Sequence, residues 1–357
     1  MSSDSGTGRD LVVDVHAHWF PLGLTDQSAR TGDPRWPHLV ADDEGSGRIM
    51  RGSEVFRKVS RSLWDVPARL ADLDAAGVDL QVLSPVPVTL AYWGDPKAAE
   101  EFLREQNDLL AEAVAASGGR LAAIGAVPLQ EPGAAVRELR RLTGELGLVG
   151  AEIGTQVAGH ELDDPELRPF FAAAEELGVP LLVHPTDGGG ATRRRGQPYE
   201  FGVGMLTDTA LSATALVFGG VLEEFPGLRV ALAHGCGSFP WTYPRTRAFA
   251  TATGGATAPA RYDELVGTLW VDSLVFDPEH LRLLTTRFGA DHLMVGSDHP
   301  FLPGYLRPAH EIVTDAAGQG VLTPTQTAGV LGRNAVEFFG LTPATAGRAD
   351  TDLEEIR

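Results

Sequence analysis

Two histidines separated by one residue, His16 and His18, lie in "VDVHAHWFP". His184 closes "PLLVHP", His234 sits in "AHGCGSFP", and Asp298 falls in "GSDHPF". Three imidazoles and a carboxylate form a donor set suited to Zn²⁺, with a water completing an open site. Water bound there has a lowered pKa and becomes available for chemistry near neutral pH. Each motif alone is weak. A His-X-His on a strand is more often incidental than ligating, and Asp and His both favour strand-to-loop junctions. The histidines matter only if the fold brings them to one place.

Eight short apolar runs would do so. They are residues 11–18, 80–87, 121–129, 148–155, 180–185, 229–237, 269–276 and 293–301. Near-continuous Val, Leu and Ile over such lengths suits parallel strands buried on both faces. Helix-like segments lie between them, at 66–77, 95–119, 163–178 and 277–289, repeatedly with an Asp-Pro start and a Gly stop. This cadence predicts a (β/α)8 TIM barrel of the metal-dependent hydrolase type, with a doubly wound open sheet as the alternative. In a barrel the active site is built at the C-terminal strand ends. His16, His18, His184, His234 and Asp298 all fall at or near such ends. Residues two apart on a strand share a face, so His16 and His18 are expected to enter the barrel mouth together. Val13, Val15 and Ala17 are then expected to face the helices. The barrel is expected to span residues 11–340, with a lid-like insertion at 19–60, a disordered tail at 1–10 and a polar tail at 341–357. A second loop rich in Gly and Arg covers 186–202.

Composition narrows the function. The chain has 357 residues, 43% of them hydrophobic, and a net charge of −19. That charge argues against nucleic-acid binding and against attraction to an anionic membrane. Its lysines, Lys58 and Lys97, do not follow glycine, so no P-loop exists, and pyridoxal-phosphate chemistry has poor candidates. One cysteine, Cys236, leaves no intramolecular disulfide and no thiolate cluster. The N-terminus lacks an apolar signal core, and no apolar stretch is read as approaching the roughly 18 residues of a membrane span. A cytoplasmic enzyme is expected. His38, His160, His280, His292 and His310 read as ordinary loop or helix residues. Cys236 reads as a small side chain in a tight place, and Arg193–Arg195 as a solvated face.

Taken together, "VDVHAHWFP", "FRKVSRSLWD", "LDAAGVDLQVLSPVPV", "GAEIGT", "LLVHP", "AHGCGSFP" and "GSDHPF" resemble the amidohydrolase superfamily over residues 11–340. Within it they resemble the branch typified by 2-amino-3-carboxymuconate 6-semialdehyde decarboxylase. The resemblance implies metal ligation by His16, His18, His184 and Asp298, with catalysis by His234 and Asp298. It implies that Arg57 holds the substrate carboxylate and that Arg245 is supplied across a homodimer interface. Thr186 and Phe301 are expected to contact substrate. Thr186 and His299 stand where the branch has aromatic residues, so the pocket is expected to suit another acid. Two-metal members of the superfamily bridge their metals with a lysine of the fourth strand; here that strand carries Glu152 and no lysine, which implies one metal. Zn²⁺ is expected, with Mn²⁺ as the alternative and no organic cofactor. The implied reaction is non-oxidative decarboxylation of a small aromatic or unsaturated, benzoate- or muconate-like, carboxylic acid. Hydrolysis of a lactone or amide on the same scaffold is the alternative, and a non-catalytic ligand-binding barrel a third.

Overall fold

The computed structural model describes residues 9–42, 45–186, 188–253 and 257–342, so most of both expected tails lies outside the described residues. Strand β1 (Val13–Trp19) is followed by an inserted group, β2 (Pro37–Ala41), β3 (Ser46–Arg51) and β4 (Glu54–Ser60). The main sheet continues as β5 (Leu80–Pro85), β6 (Leu121–Ala126), β7 (Gly150–Gly154) and β8 (Leu181–His184). It ends with β9 (Val230–Leu232), β10 (Trp270–Asp272) and β11 (Leu293–Met294). β1 and β5–β11 form one eight-stranded sheet in sequence order, with parallel pairing throughout. Parallel bridges from Asp14 to Val295 and from Ala17 to His299 join the last strand to the first. That closure makes it a barrel rather than an open doubly wound sheet.

Eight helices follow the eight barrel strands: α1 (Val66–Ala76), α2 (Pro96–Ala115), α3 (Pro132–Gly144), α4 (Arg168–Leu177), α5 (Met205–Phe218), α6 (Phe239–Ala252), α7 (Pro278–Phe288) and α8 (Pro308–Gly318). The start signals work as the sequence suggests. Asp65, Asp95 and Asp277 each accept a hydrogen bond from a first-turn backbone N–H, satisfying donors that a helix leaves open. Gly77 and Gly178 end α1 and α4 in the left-handed conformation. The helical stretch Tyr199–Phe218, which ends in α5, is long and apolar enough to span a membrane by length and composition alone. This corrects the expectation that no apolar stretch approaches that length. In the barrel it buries Ala213, Leu216 and Val217 in the main core.

Alternation along the strands sorts the core into two layers. Ala17, Leu83, Ala151, Leu181, Val183, Leu232 and Val271 belong to the large cluster that includes the helices. Val13, Val15, Leu80, Val82, Leu182 and Met294 form a second cluster inside the barrel, joined by Phe338 and Phe339 from the C-terminal segment. Val13 and Val15 thus do not face the helices as expected. The β1–β5 register shifts between Asp14 and Ala17, where Val15 and His16 stand opposite the single residue Val82. A bulge of this kind adds one residue and resets the phase of alternation, so Val15 and His16 both turn inward.

The insertion is a sheet. β2, β3 and β4 pair antiparallel, and β3 meets β4 through the two-residue turn Gly52–Ser53. Gly52 has φ 56, a value that glycine adopts freely at the first position of such turns. A second bulge lies here: Ile49 pairs with Arg57 and Met50 with Val55, leaving Phe56 extra.

Candidate metal centre

His16, His18, His184 and Asp298 come together at the C-terminal rim, each offering a ligand atom within 4.8 Å of the others. The Nδ1 of each imidazole has its own partner. His16 Nδ1 lies 2.6 Å from Asp272 Oδ2, His18 Nδ1 3.1 Å from the Pro85 carbonyl, and His184 Nδ1 2.8 Å from the Pro185 carbonyl. These acceptors place the proton on Nδ1 and leave Nε2 as a bare lone pair. The Nε2 atoms of His16 and His184 then face each other at 3.1 Å. Asp298 Oδ1 lies 3.1 Å from His18 Nε2 and 3.8 Å from His16 Nε2. Lone pairs converging on a carboxylate repel unless a cation lies among them, so the four side chains fit one divalent metal.

The electrostatics agree. Burial opposes charge on His16, but the hydrogen bond and charge of Asp272 prevail and raise its pKa to about 9. Burial, reinforced by the neighbouring imidazoles, pushes His184 well below its usual value. Asp298 resists burial through His18 and His16, which hold its carboxyl down at about 2. Glu152 is buried inside the barrel and is not one of the clustered ligands. Burial pushes its carboxyl well above the usual range, and a neutral acid is a poor bridge for a second metal.

His234 stands beside the cluster rather than in it, its ring centroid 5.0 Å from those of His16 and His184. Burial and then the charge of His16 lower its pKa to about 4, so the imidazole is neutral at pH 7. Its backbone is left-handed, with φ 56 and ψ 42; Cys236 and Asp298 also have positive φ, at 66 and 58. Such conformations cost about 1–3 kcal/mol each in non-glycine residues and concentrate at functional sites. The turn is held by Asp272, whose carboxylate accepts from the backbone N–H of His234 (2.8 Å) and Gly235 (2.9 Å).

The cavity over this cluster is lined by Arg57, Thr186 and Phe301, as the resemblance implies, and also by Phe56, Val86, Val88, Phe201 and Met205. The β4 bulge explains why the consecutive residues Phe56 and Arg57 both reach it. Arg57 donates to the Phe301 carbonyl at 3.0 Å, and its guanidinium lies over the rings of Phe301 (4.4 Å) and Phe201 (5.2 Å). Burial lowers its pKa, against the attraction of Asp298. A larger groove of about 580 Å³ lies on the other side of Phe301, lined by Lys58, Asp72, His299 and Arg307, but contains none of the four ligands. Chemistry therefore assigns the smaller cavity as the site.

Two expected residues lie elsewhere. Arg245 is on an exposed face of α6, stacked on Phe249 at 4.9 Å, and does not line the cavity of its own chain. His299 turns outward from the barrel: its Nδ1 faces Arg69 at 3.2 Å and its Nε2 faces Asp72 at 3.1 Å. It does not shape the cavity. Asp272, Phe201 and Met205 were not anticipated. Asp272 left a signal, a lone acid inside the apolar run "LWVDSLVF". Phe201 and Met205 left none, because their role depends on how the loop after β8 folds back.

A closed (β/α)8 barrel with three imidazoles and a carboxylate at its rim defines a metal-dependent barrel protein. A family model described as amidohydrolase matches residues 13–341, and the chain belongs to that family. Within it the chain falls in the branch of 2-amino-3-carboxymuconate-6-semialdehyde decarboxylase. It is 35% identical to the protein of that name from Dictyostelium discoideum, covering 94% of this chain and 93% of that one. It is 29% identical to gamma-resorcylate decarboxylase from Rhizobium sp. (strain MTP-10005), over 70% of this chain and 81% of the relative. Among solved structures, 5-carboxyvanillate decarboxylase from Sphingomonas paucimobilis superposes with a TM-score of 0.76 at 25% identity, covering 94% of this chain and all of that one.

Proposed function

We propose that this protein is a metal-dependent, non-oxidative decarboxylase of a planar aromatic or unsaturated carboxylic acid, and releases CO₂. The observation that carries this reading is the shared cavity: a pre-positioned Arg57, a neutral His234 and three of the four clustered ligands, His18, His184 and Asp298, all line it. Decarboxylation without an organic cofactor needs somewhere for the electrons of the breaking C–C bond to go. Arg57, fixed by the Phe301 carbonyl and two rings, orients the acid through its remaining N–H donors. His234, neutral at rest, relays one solvent proton to the carbon bearing the carboxylate, the single proton consumed as CO₂ is lost. The bond electrons then return to the unsaturated system as CO₂ departs. Phe56, Val86, Val88, Phe201, Met205 and Phe301 wall the cavity with apolar surface and exclude bulk water from the developing charge. A divalent metal held by His16, His18, His184 and Asp298 would supply Lewis acidity toward bound acid or water.

With about 50 Å³ of free space, the cavity accommodates water rather than an aromatic acid. Substrate entry therefore displaces lining side chains, and Phe201 and Met205 next to the loop after β8 are the natural ones to move. Zinc is the proposed metal, on the imidazole-rich donor set. A homodimer with Arg245 contributed across the interface is part of the same reading. Its support is the face of α6 on which Trp241 is 80% and Phe249 58% exposed, side chains typical of interface anchors. Hydrolysis of a lactone or amide is disfavoured because it requires no carboxylate clamp such as Arg57. The deciding experiment presents the metal-loaded protein with panels of aromatic acids and of lactones. CO₂ release from an acid supports the reading; ring opening of a lactone with no CO₂ from any acid overturns it.

A further inference from the structure

We infer that Asp272 is a positioning residue that couples the metal ligand His16 to His234, so that one carboxylate sets both halves of the site. Asp272 comes from the seventh barrel strand and is buried, yet its two oxygens accept four hydrogen bonds. Oδ2 takes His16 Nδ1 at 2.6 Å and the His234 backbone N–H at 2.8 Å. Oδ1 takes the backbone N–H of Gly235 at 2.9 Å and of Leu274 at 3.0 Å. The bond to His16 fixes the tautomer that presents Nε2 to the metal. The bonds to His234 and Gly235 hold the left-handed turn that directs the His234 ring at the same cavity. Because His16 and His234 share a single oxygen, a displacement of either is transmitted to the other through it.

The surroundings leave this carboxylate little freedom. A Cβ on Gly296 would come within 2.7 Å of the Asp272 Cβ, and one on Gly235 within 2.6 Å of Val275. Both glycines thereby admit a close approach that the turn and the carboxylate require. Asparagine at 272 has nearly the same shape but only one accepting oxygen; its NH₂ would face two N–H donors. It therefore cannot reproduce the four-bond arrangement.

This inference rests on the proposed role of His234, and the test separates the two. Asp272→Asn, His234→Ala and the double variant are compared by calorimetric zinc titration and by kcat at saturating zinc, with circular dichroism as the control for folding. Asp272→Asn is expected to weaken zinc binding about 10–100-fold. At saturating zinc it is also expected to lower kcat by about tenfold or more. In the His234→Ala background it should still weaken zinc but lower the residual kcat by no more than about twofold, since its catalytic effect runs through His234. Unchanged kcat in Asp272→Asn at saturating zinc overturns the coupling, as does a full multiplicative loss in the double variant. Should Asp272→Asn not fold, Asp272→Glu, which keeps the charge but moves the carboxylate by one methylene, is held to the same outcomes. If the wild type releases no CO₂ from any acid, the functional reading fails and the coupling is judged by resonance. The backbone amides of His234 and Gly235 should shift on zinc addition in the wild type and lose that response in Asp272→Asn. An equal response in both overturns it.

Discussion

Arg69 is fully buried between α1 and the barrel wall. Its Nε donates to the Ser62 carbonyl at 2.8 Å, Nη1 to Gln81 Oε1 at 2.6 Å, and Nη2 to the His18 carbonyl at 2.6 Å. Nη1 also faces His299 Nδ1 at 3.2 Å. Among the described residues no carboxylate touches it; Asp14 is one residue away through Gln81, and Asp72 one residue away through His299. Burial pulls its pKa down to about 9, so it remains charged at neutral pH. Arg69→Met keeps the stem and removes the fork. Each of four buried acceptors then loses its donor, at about 1–3 kcal/mol apiece, while removal of a desolvated charge returns part of that. The net loss is expected to be about 3–5 kcal/mol, a large share of the roughly 5–15 kcal/mol available to a folded protein. Urea unfolding at pH 7 measures it. Zinc affinity should fall as well, because the His18 carbonyl and the residue after Asp298 both lose their anchor. Arg69→Lys should lie between, since one ammonium cannot serve four acceptors on different sides. A Met variant within about 1 kcal/mol of wild type, with unchanged zinc affinity, would refute the reasoning.

Three further outcomes are expected. Zinc at about 100 times its dissociation constant should stabilise the fold by about 2.7 kcal/mol, and a thermal melt indifferent to zinc and chelator would speak against a resident metal. Arg57→Lys should raise KM for an aromatic acid about tenfold or more, since a point charge replaces a planar fork; steady-state kinetics check it. Glu152→Gln should flatten the pH dependence of stability. Burial raises the native pKa of Glu152, so above the unfolded value of about 4.3 the unfolded state binds fewer protons. Stability then falls by up to about 1.4 kcal/mol per pH unit until the native pKa is reached. The glutamine variant should lose that slope, and equal slopes in urea melts from pH 5 to 8 would contradict it.

The barrel was legible because its signals are local and repeated. Apolar runs recur eight times, the helix-like segments between them open with Asp-Pro at Asp95, Asp164 and Asp277, and Asp65, Asp95 and Asp277 do cap helices. That same cadence placed His16, His18, His184 and Asp298 at one rim. The bulges were not legible. Nothing in "VDVHAH" marks Val15 and His16 as standing opposite Val82 alone, and nothing in "EVFRK" marks Phe56 as the extra residue. Both depend on the partner strand. The insertion read as a loop because its strands are short and mixed, and their pairing is with each other rather than with the barrel. Arg57 came from resemblance, since one arginine among many has no distinguishing chemistry until the fold puts phenyl rings and a carbonyl around it.

The placement of Arg57 has an evolutionary consequence. The group proposed to grip the acid rides on a hairpin of the inserted sheet, while the ligands and His234 belong to the barrel wall. Acid selectivity and bond-breaking machinery thus occupy separately exchangeable modules. A graft of residues 37–60 from a relative would be expected to transplant preference among acids while leaving the host's metal preference intact.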